Sequence, residues 1–206
     1  MTPEALMYDI IVNTVRYTPQ PGHYVLDLGA HYGYFSLYCA ARGAHVTAYE
    51  PLEENYRELV RISRDIAPQL GFPTIITHRQ AVTDAYGERL LWYNRDNPGA
   101  SSLLRQSDFD PVPVSTVPLS AALRMPDLPD MLWDCVKVDV EGAEAEIFLA
   151  ASNMDLKRIR FLTMELHNDV LSLEQHDALY KRMLHAFPKS EAQRNGDRVV
   201  QILCWS

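Results

Sequence analysis

The 206 residues hold only 3 cysteines, Cys39, Cys135 and Cys204, an odd number scattered through apolar contexts. Neither a disulfide framework nor a zinc site is expected from them, and they read as buried thiols. Long hydrophobic runs are missing too. No stretch approaches the roughly 20 apolar residues of a membrane span, and the opening Met1-Thr2-Pro3-Glu4 lacks the basic and apolar regions of a signal peptide. The expectation is a cytoplasmic chain with no membrane partner. Positive charge is scarce, with 19 Lys and Arg against 27 Asp and Glu for a net charge of −8. A nucleic-acid backbone needs clustered cations, so no nucleic-acid partner is expected and a small or neutral substrate fits better. With 47% hydrophobic content, one domain of ordinary core size is expected over 1–206. Within it, 1–21 supply an N-terminal helix and linker, 22–206 the core, and about 88–120 an insertion.

What the chain does contain is organised around Val25-Leu26-Asp27-Leu28-Gly29-Ala30-His31-Tyr32-Gly33. An apolar run of strand length enters an acid and two glycines four apart, then Tyr34, Phe35, Leu37 and Tyr38 at helical spacing. That is the first strand, turn and helix of an α/β nucleotide-type fold. A dinucleotide turn has G-x-G-x-x-G and seats a pyrophosphate on the helix N-terminus. Here the middle glycine is absent, and Asp27 stands where it repels phosphate. An anion at this place argues for a cationic ligand. S-adenosylmethionine carries an ammonium and a sulfonium, no phosphate, and a ribose that takes a carboxylate partner. Glu50, ending Val46-Thr47-Ala48-Tyr49-Glu50, is that partner, about 20 residues on.

Along the chain, Pro3 to Arg16 reads as a helix with Leu6 and Ile10 on one face, ended by Pro19, Pro21 and Gly22. A second helix is expected from Glu53 to Ile66, with Leu59, Ile62 and Ile66 inward, before Pro68 to Pro73 break the pattern. Thr74 to Thr77 starts a third strand that resumes near Gln80 to Asp84. Glu88 to Asn94 suits an added strand, Asn97 to Ser102 a loop, and Val112 to Leu119 an extended piece, together an insertion over a ligand cleft. Leu173 to Phe187 reads as a helix. Asn195-Gly196 signals a hairpin into a final antiparallel strand, Val199 to Trp205.

The second informative stretch is Cys135-Val136-Lys137-Val138-Asp139-Val140-Glu141-Gly142. By the period of two, the valines share one strand face and Lys137, Asp139 and Glu141 the other. A central parallel strand is normally apolar on both faces, so three charges on one side are an exception. The strand Phe161 to His167 ends likewise, with Glu165 and His167. Five ionisable groups thus converge at the carboxyl ends of strands, where ligands sit in open parallel sheets. An internal ion-pair cluster around Lys137 is the plain structural alternative.

These motifs resemble the FkbM family of S-adenosylmethionine-dependent methyltransferases. The shared pieces are Val25 to Gly33, Glu50-Pro51 with Asn55 and Leu59, Ala81-Val82 with Asp84, Ser101-Ser102-Leu103, the run Lys137 to Glu144, and Glu165 with His167. The resemblance implies an α/β class I methyltransferase fold: Rossmann-like, doubly wound, with a mostly parallel seven-stranded sheet and one antiparallel strand. It also implies O-methylation of a hydroxyl on a polyketide, sugar or other metabolite. Carried over by position, Asp27, Gly29, Ala30, His31 and Gly33 hold the methionine end of the cofactor, Glu50 the ribose, and Val82 with Asp84 the adenine side. Asp139 and Glu141 border methionine and substrate, and Glu165 and His167 face the acceptor. One departure stands out, His31 where the family often has Asn.

The donor methyl is already activated, so the chain has to place the acceptor oxygen and remove its proton. His167 is the first choice as general base, its ordinary pKa lying near 6.5, and Glu141 the second. A Mg²⁺ ion between Asp139 and Glu165 is another route to the same end. The remaining histidines, His23, His45, His78, His176 and His185, have no ligand spacing. Two rival functions are a nicotinamide-dependent oxidoreductase and a non-catalytic adenosyl-cofactor-binding module. The missing glycine opposes the first and the intact charged strand ends oppose the second.

Overall fold

The computed structural model describes residues 15–104, 107–125, 131–167, 171–195 and 199–205. The helix expected from Pro3 lies outside them up to residue 14. The chain begins its regular structure with β1 (Tyr24–Leu28), α1 (Tyr34–Ala40), β2 (His45–Tyr49) and α2 (Glu53–Arg61), then β3 (Ile76–His78) and β4 (Ala81–Thr83). Next come β5 (Gly87–Tyr93), β6 (Asp110–Pro118), the short α3 (Leu119–Ala122) and β7 (Cys135–Val138). The last third holds α4 (Glu144–Ala150), α5 (Asn153–Leu156), β8 (Phe161–His167), α6 (Leu173–Ala186), β9 (Lys189–Asn195) and β10 (Val199–Trp205).

Seven strands form one sheet in the order β3-β2-β1-β7-β8-β10-β9. β1 pairs in parallel with β2 and β7, and β8 in parallel with β7. β10 runs antiparallel to both β8 and β9, as the hairpin signal predicts. The chain winds outward from β1 to β3 and then returns to the other side of β1 as β7. That reversal makes β1/β7 the switch point, where a crevice opens beyond the strand ends.

The two-residue period assigns each side of the sheet its own core. Val25, Val46 and Cys135 pack with Phe35, Leu59 and Ile62 beneath α1 and α2. Leu26, Leu28, Val136 and Val138 pack on the opposite side with Phe148, Leu162 and Met183, beneath α4 and α6. All three thiols are free and buried. Among the described residues, no helix is long and apolar enough to cross a membrane.

Two local expectations are corrected. The third strand does not resume after Thr77: β3 pairs with β2, whereas β4 pairs with β6 in a second sheet ordered β4-β6-β5. Pairing partners more than 30 residues downstream decide this, and no local period reports them. The helix from Glu53 does not stop at Ile66 but runs on through a π-helical turn, Ile62–Ile66, to Gln69. Pro68 has no N–H to give the preceding turn, and the widened turn accommodates it.

The glycine bend after β1 is fixed by close approach. Gly29 (φ +74°) and Ala30 both donate to the Tyr49 carbonyl, at 3.0 and 2.9 Å. A Cβ on Gly29 would lie 1.8 Å from the Asp139 carbonyl oxygen. At Gly33 (φ +86°), the nearest atom to a Cβ is Leu59 Cδ1, at 2.6 Å, the movable end of a side chain. Gly29→Ala is therefore expected to cost at least about 3 kcal/mol or to prevent folding, and Gly33→Ala about 1–2 kcal/mol. Urea midpoints of the two variants check this; equal losses would refute the close-approach account.

Candidate active site

A cleft of about 390 Å³ opens at the carboxyl ends of β1, β2 and β7, within the roughly 300–1,000 Å³ range of small-ligand sites. Glu50 follows β2 and is 5% exposed. Its Oε2 accepts from the His31 amide at 2.9 Å, and its Oε1 from the Leu52 amide at 2.9 Å and from Asn55 Nδ2 at 3.3 Å. Three of the roughly four acceptor directions of the carboxylate are thus used, leaving one for a ligand. Burial lifts the Glu50 pKa to about 7 despite these donors.

His31 occupies the left-handed region (φ +52°), and its ring centroid lies 3.9 Å from that of Tyr32. Its Nε2 is buried without a hydrogen-bond partner, beneath the loop that carries Asn97 and Gly99. Burial, then the Lys137 charge, push its pKa down, so it is a neutral imidazole.

Asp27 does something other than welcome a ligand. It is fully buried, accepts from Ser36 Oγ at 2.7 Å, and lies 3.3 Å from Lys137 Nζ. Lys137 in turn donates to the Gly29 carbonyl at 2.9 Å and sits 3.6 Å from Asp139. Burial opposes the Lys137 charge, but Asp27, Asp139 and Glu165 outweigh it and hold the ammonium well above its usual range. The carboxylate at the bend therefore anchors the lysine that anchors the bend.

At the other end, Asp139 and Glu141 follow β7, which ends at Val138. Glu141 does not continue the strand face; it turns into the left-handed region (φ +54°), and Ser102 Oγ donates to its carbonyl. His167, the last residue of β8, has Nδ1 2.8 Å from Glu144 Oε1. Its Nε2 is 3.3 Å from Glu141 Oε2 and 3.8 Å from Asp139 Oδ1. Burial works to lower the His167 pKa, yet its bonds to Glu141 and Glu144 raise it to about 11. Carboxylates facing both ring nitrogens thus favour its protonated form. Glu165 lines the cleft, and burial followed by the nearby Asp139 charge raises its pKa to about 7 against the pull of Lys137 and His167. Burial also raises Glu141.

Of the residues expected at the cofactor, Gly29, Ala30, His31, Glu50, Val82 and Asp139 line the cleft, as do Glu141 and Glu165. Asp27 and Gly33 lie beneath it. Asp84 is exposed in the turn after β4, because β4 leaves the main sheet and carries the turn away. Sequence reasoning assigned no role to Glu144, Gln80 or Asn97. Glu144 stood inside a quoted motif, but an acid opening a helix is ordinary and nothing local marks it as fully buried.

The donor set does not fit Mg²⁺ between Asp139 and Glu165. The donors that converge among the described residues are Asp139, Glu141 and His167, within 4.8 Å of one another. Mg²⁺ takes hard oxygen ligands in octahedral geometry, whereas this set includes an imidazole nitrogen and leaves out Glu165.

The sequence profile described as the methyltransferase FkbM domain matches residues 27–199. The chain belongs to the FkbM methyltransferase family. Membership implies S-adenosylmethionine as methyl donor, and the residues suit it: an acid-lined cleft with one open acceptor position on Glu50. The antimetabolite synthetase AmbE of Pseudomonas aeruginosa is 27% identical over 180 residues, 72% of this chain but 8% of that protein. The solved methyltransferase FkbM from Methylobacillus flagellatus is 15% identical with TM-score 0.59, over 92% of this chain and 45% of that one. An rRNA methylase from Streptococcus thermophilus is 10% identical with TM-score 0.51, over 100% and 97%. The two structures share the class I methyltransferase fold, and this FkbM chain spans less than half of the first two proteins' length.

The carboxyl pKa values have a consequence for stability. Glu50 and Glu165 rise from 4.5 to about 7 on folding. The native state therefore holds more protons than the unfolded one across that window, and stability falls as pH rises through it. Glu165→Gln removes one contribution. At pH 8 the variant should be more stable by roughly 1 kcal/mol, melting about 2–4 °C above the parent. A variant that melts below the parent at pH 8 would contradict the assignment.

Proposed function

We propose that this chain is an S-adenosylmethionine-dependent O-methyltransferase acting on a hydroxyl of a small metabolite, with Glu165 as general base. The observation that carries the reading is Glu165 itself, a cleft-lining carboxyl with a pKa near 7, flanked by fixed cations. When bound, S-adenosylmethionine supplies an electrophilic methyl group. The chain's own residues would position the acceptor oxygen and accept its proton. A base is most effective when its pKa lies close to the working pH, which favours Glu165 over His167. Lys137 and His167 stabilise the ionised carboxylate before transfer, and Glu141, next in line, orients the acceptor hydroxyl. Glu50 would accept from the ribose, Ala30 and His31 would hold the methionine end, and Val82 would pack on the adenine side.

Two things support a small acceptor. The relative in Pseudomonas aeruginosa is named for making an antimetabolite, whereas the likeness to an rRNA methylase is one of fold. The cleft wall also carries Asp139, Glu141 and Glu165, and carboxylates there would oppose a phosphodiester backbone.

Because ribose hydroxyls donate to ionised Glu50, S-adenosylhomocysteine should bind more tightly as pH rises from 6 to 8. Glu50→Gln should weaken it at least tenfold and flatten the pH response, both read by calorimetry. NAD binding in its place would favour an oxidoreductase. For the reaction, methyl-labelled S-adenosylmethionine is offered with a low-molecular-mass metabolite extract and, separately, with total RNA. Label is expected in the small-molecule fraction as a base-stable ether, reduced at least about 100-fold by Glu165→Gln and unchanged by EDTA. Label in RNA, or in nothing despite bound cofactor, would overturn the proposed activity.

A further inference from the structure

Behind the cleft lies a group that the methyl-transfer chemistry does not touch. Glu144, the first residue of α4, is fully buried. Its Oε1 accepts from the Gly142 amide at 3.1 Å and meets His167 Nδ1 at 2.8 Å. Its Oε2 is buried without a hydrogen-bond partner. Isolated carboxylates are rarely left in such places, since desolvation costs several kcal/mol unless a counter-charge is fixed beside them. The counter-charge here is the imidazole of β8, brought to α4 by the fold and not by proximity in the chain.

We propose that Glu144 is a positioning residue that fixes the His167 ring from behind and so presents Nε2–H to Glu141 and Asp139 at the acceptor end of the cleft. The proposal deepens the O-methyltransferase reading by adding a residue to its site, but its physical content is independent of the acceptor's identity. A carboxylate bonded to Nδ1 determines which way the other ring nitrogen points and which protons the ring keeps. The Gly142 amide on the same oxygen ties that ring to the backbone just after Glu141, so the imidazole and the carboxylate facing it share one anchor. The charged groups around the ring are Glu144 from α4, Glu141 and Asp139 from the segment after β7, Glu165 from β8 itself, and Lys137 from β7, which faces Asp139. Four carboxyl groups surround one imidazole. Glu144 is the one of the four with no access to the cleft, so it alone continues to pair with the ring while the others exchange partners with a ligand.

The test is nitrogen-15 NMR of the full chain labelled at histidine, with the His167 signals identified by their loss in His167→Gln. In the parent, both His167 ring nitrogens should remain protonated from pH 6 to 9, without any ligand. In Glu144→Gln, which keeps the shape and loses the charge, the titration of His167 should move down by at least one unit. S-adenosylhomocysteine affinity should stay within threefold, because Glu50 and the glycine bend are untouched. Glu144→Asp, which keeps the charge on a shorter arm, should recover part of the shift. The proposal is overturned if parent His167 is neutral at pH 7.5, a result that needs no variant to fold. It is equally overturned if Glu144→Gln leaves the titration in place, or if cofactor affinity collapses with it. None of these readouts depends on methyl transfer, so the proposal can fail while the enzymatic reading stands, and the converse holds.

Discussion

The ammonium of Lys137 is the charge on which the cleft depends. It stands inside a parallel sheet, on the strand next to β1, and reaches Asp27, the Gly29 carbonyl and Asp139 at 3.3, 2.9 and 3.6 Å. A buried ion pair rarely adds net stability, since desolvating both charges cancels most of their attraction. What it provides is a location. Gly29 must pass so close to Asp139 that no side chain fits between them, and two loops held at that distance need a bond joining them. Lys137 supplies the side-chain part of it, beside the Asp139 amide's bond to the Leu28 carbonyl at 3.0 Å. Removing the lysine would leave Asp27 buried and uncompensated and would loosen the bend on the strand it leans on.

The same low dielectric treats His31, which lines the cleft, and His167, which touches the cleft-lining Glu141, in opposite ways. At the His31 ring, burial and the Lys137 charge outweigh the Asp139 charge, so its pKa is pushed down and Nε2 stays open. His167 is surrounded by carboxylates, so burial loses and it is charged. Residue type predicts neither state; the identity of the neighbours does. The acids divide similarly. Glu50 is met by two amides and an asparagine, Glu165 by two carboxylates and two cations, and both arrive near neutrality through burial.

Much of this was legible in the sequence, because the features concerned are local. The apolar run into Gly29 and Gly33, the acid after β2, the charged ends of β7 and β8 and the hairpin residue Asn195 each declare themselves within ten residues. β10 accordingly appears antiparallel where expected. What was not legible depends on partners distant in the chain. β4 belongs to a second sheet because of β6, and Asp27 is silent toward the cleft because Lys137, 110 residues later, covers it. His167 is held toward its protonated form by Glu141, after β7, and by Glu144, on α4. Asp84 was misplaced for the same reason as β4, the turn going with its strand. Alternation along β7 also misled at Glu141: a strand period carries on only while the backbone stays extended, and the positive φ there breaks it.

The insertion between β5 and β6 shows how such distant partners make one site. Tyr93, at the end of β5, donates to Glu54 on α2 at 2.8 Å, and Ser102, nine residues on, donates to the Glu141 carbonyl. The loop between them is thereby tied to the ribose side of the cleft at one end and to the acceptor side at the other, and Gly99 crosses above the free nitrogen of His31. Since backbone pairing between Trp92 and Ser102 closes the base of the loop, it cannot shift at one tie without straining the other. The second sheet is thus part of the cleft. At the turn after β7, a serine from the loop between β5 and β6 holds the carbonyl of Glu141, whose backbone is left-handed and whose carboxylate faces His167.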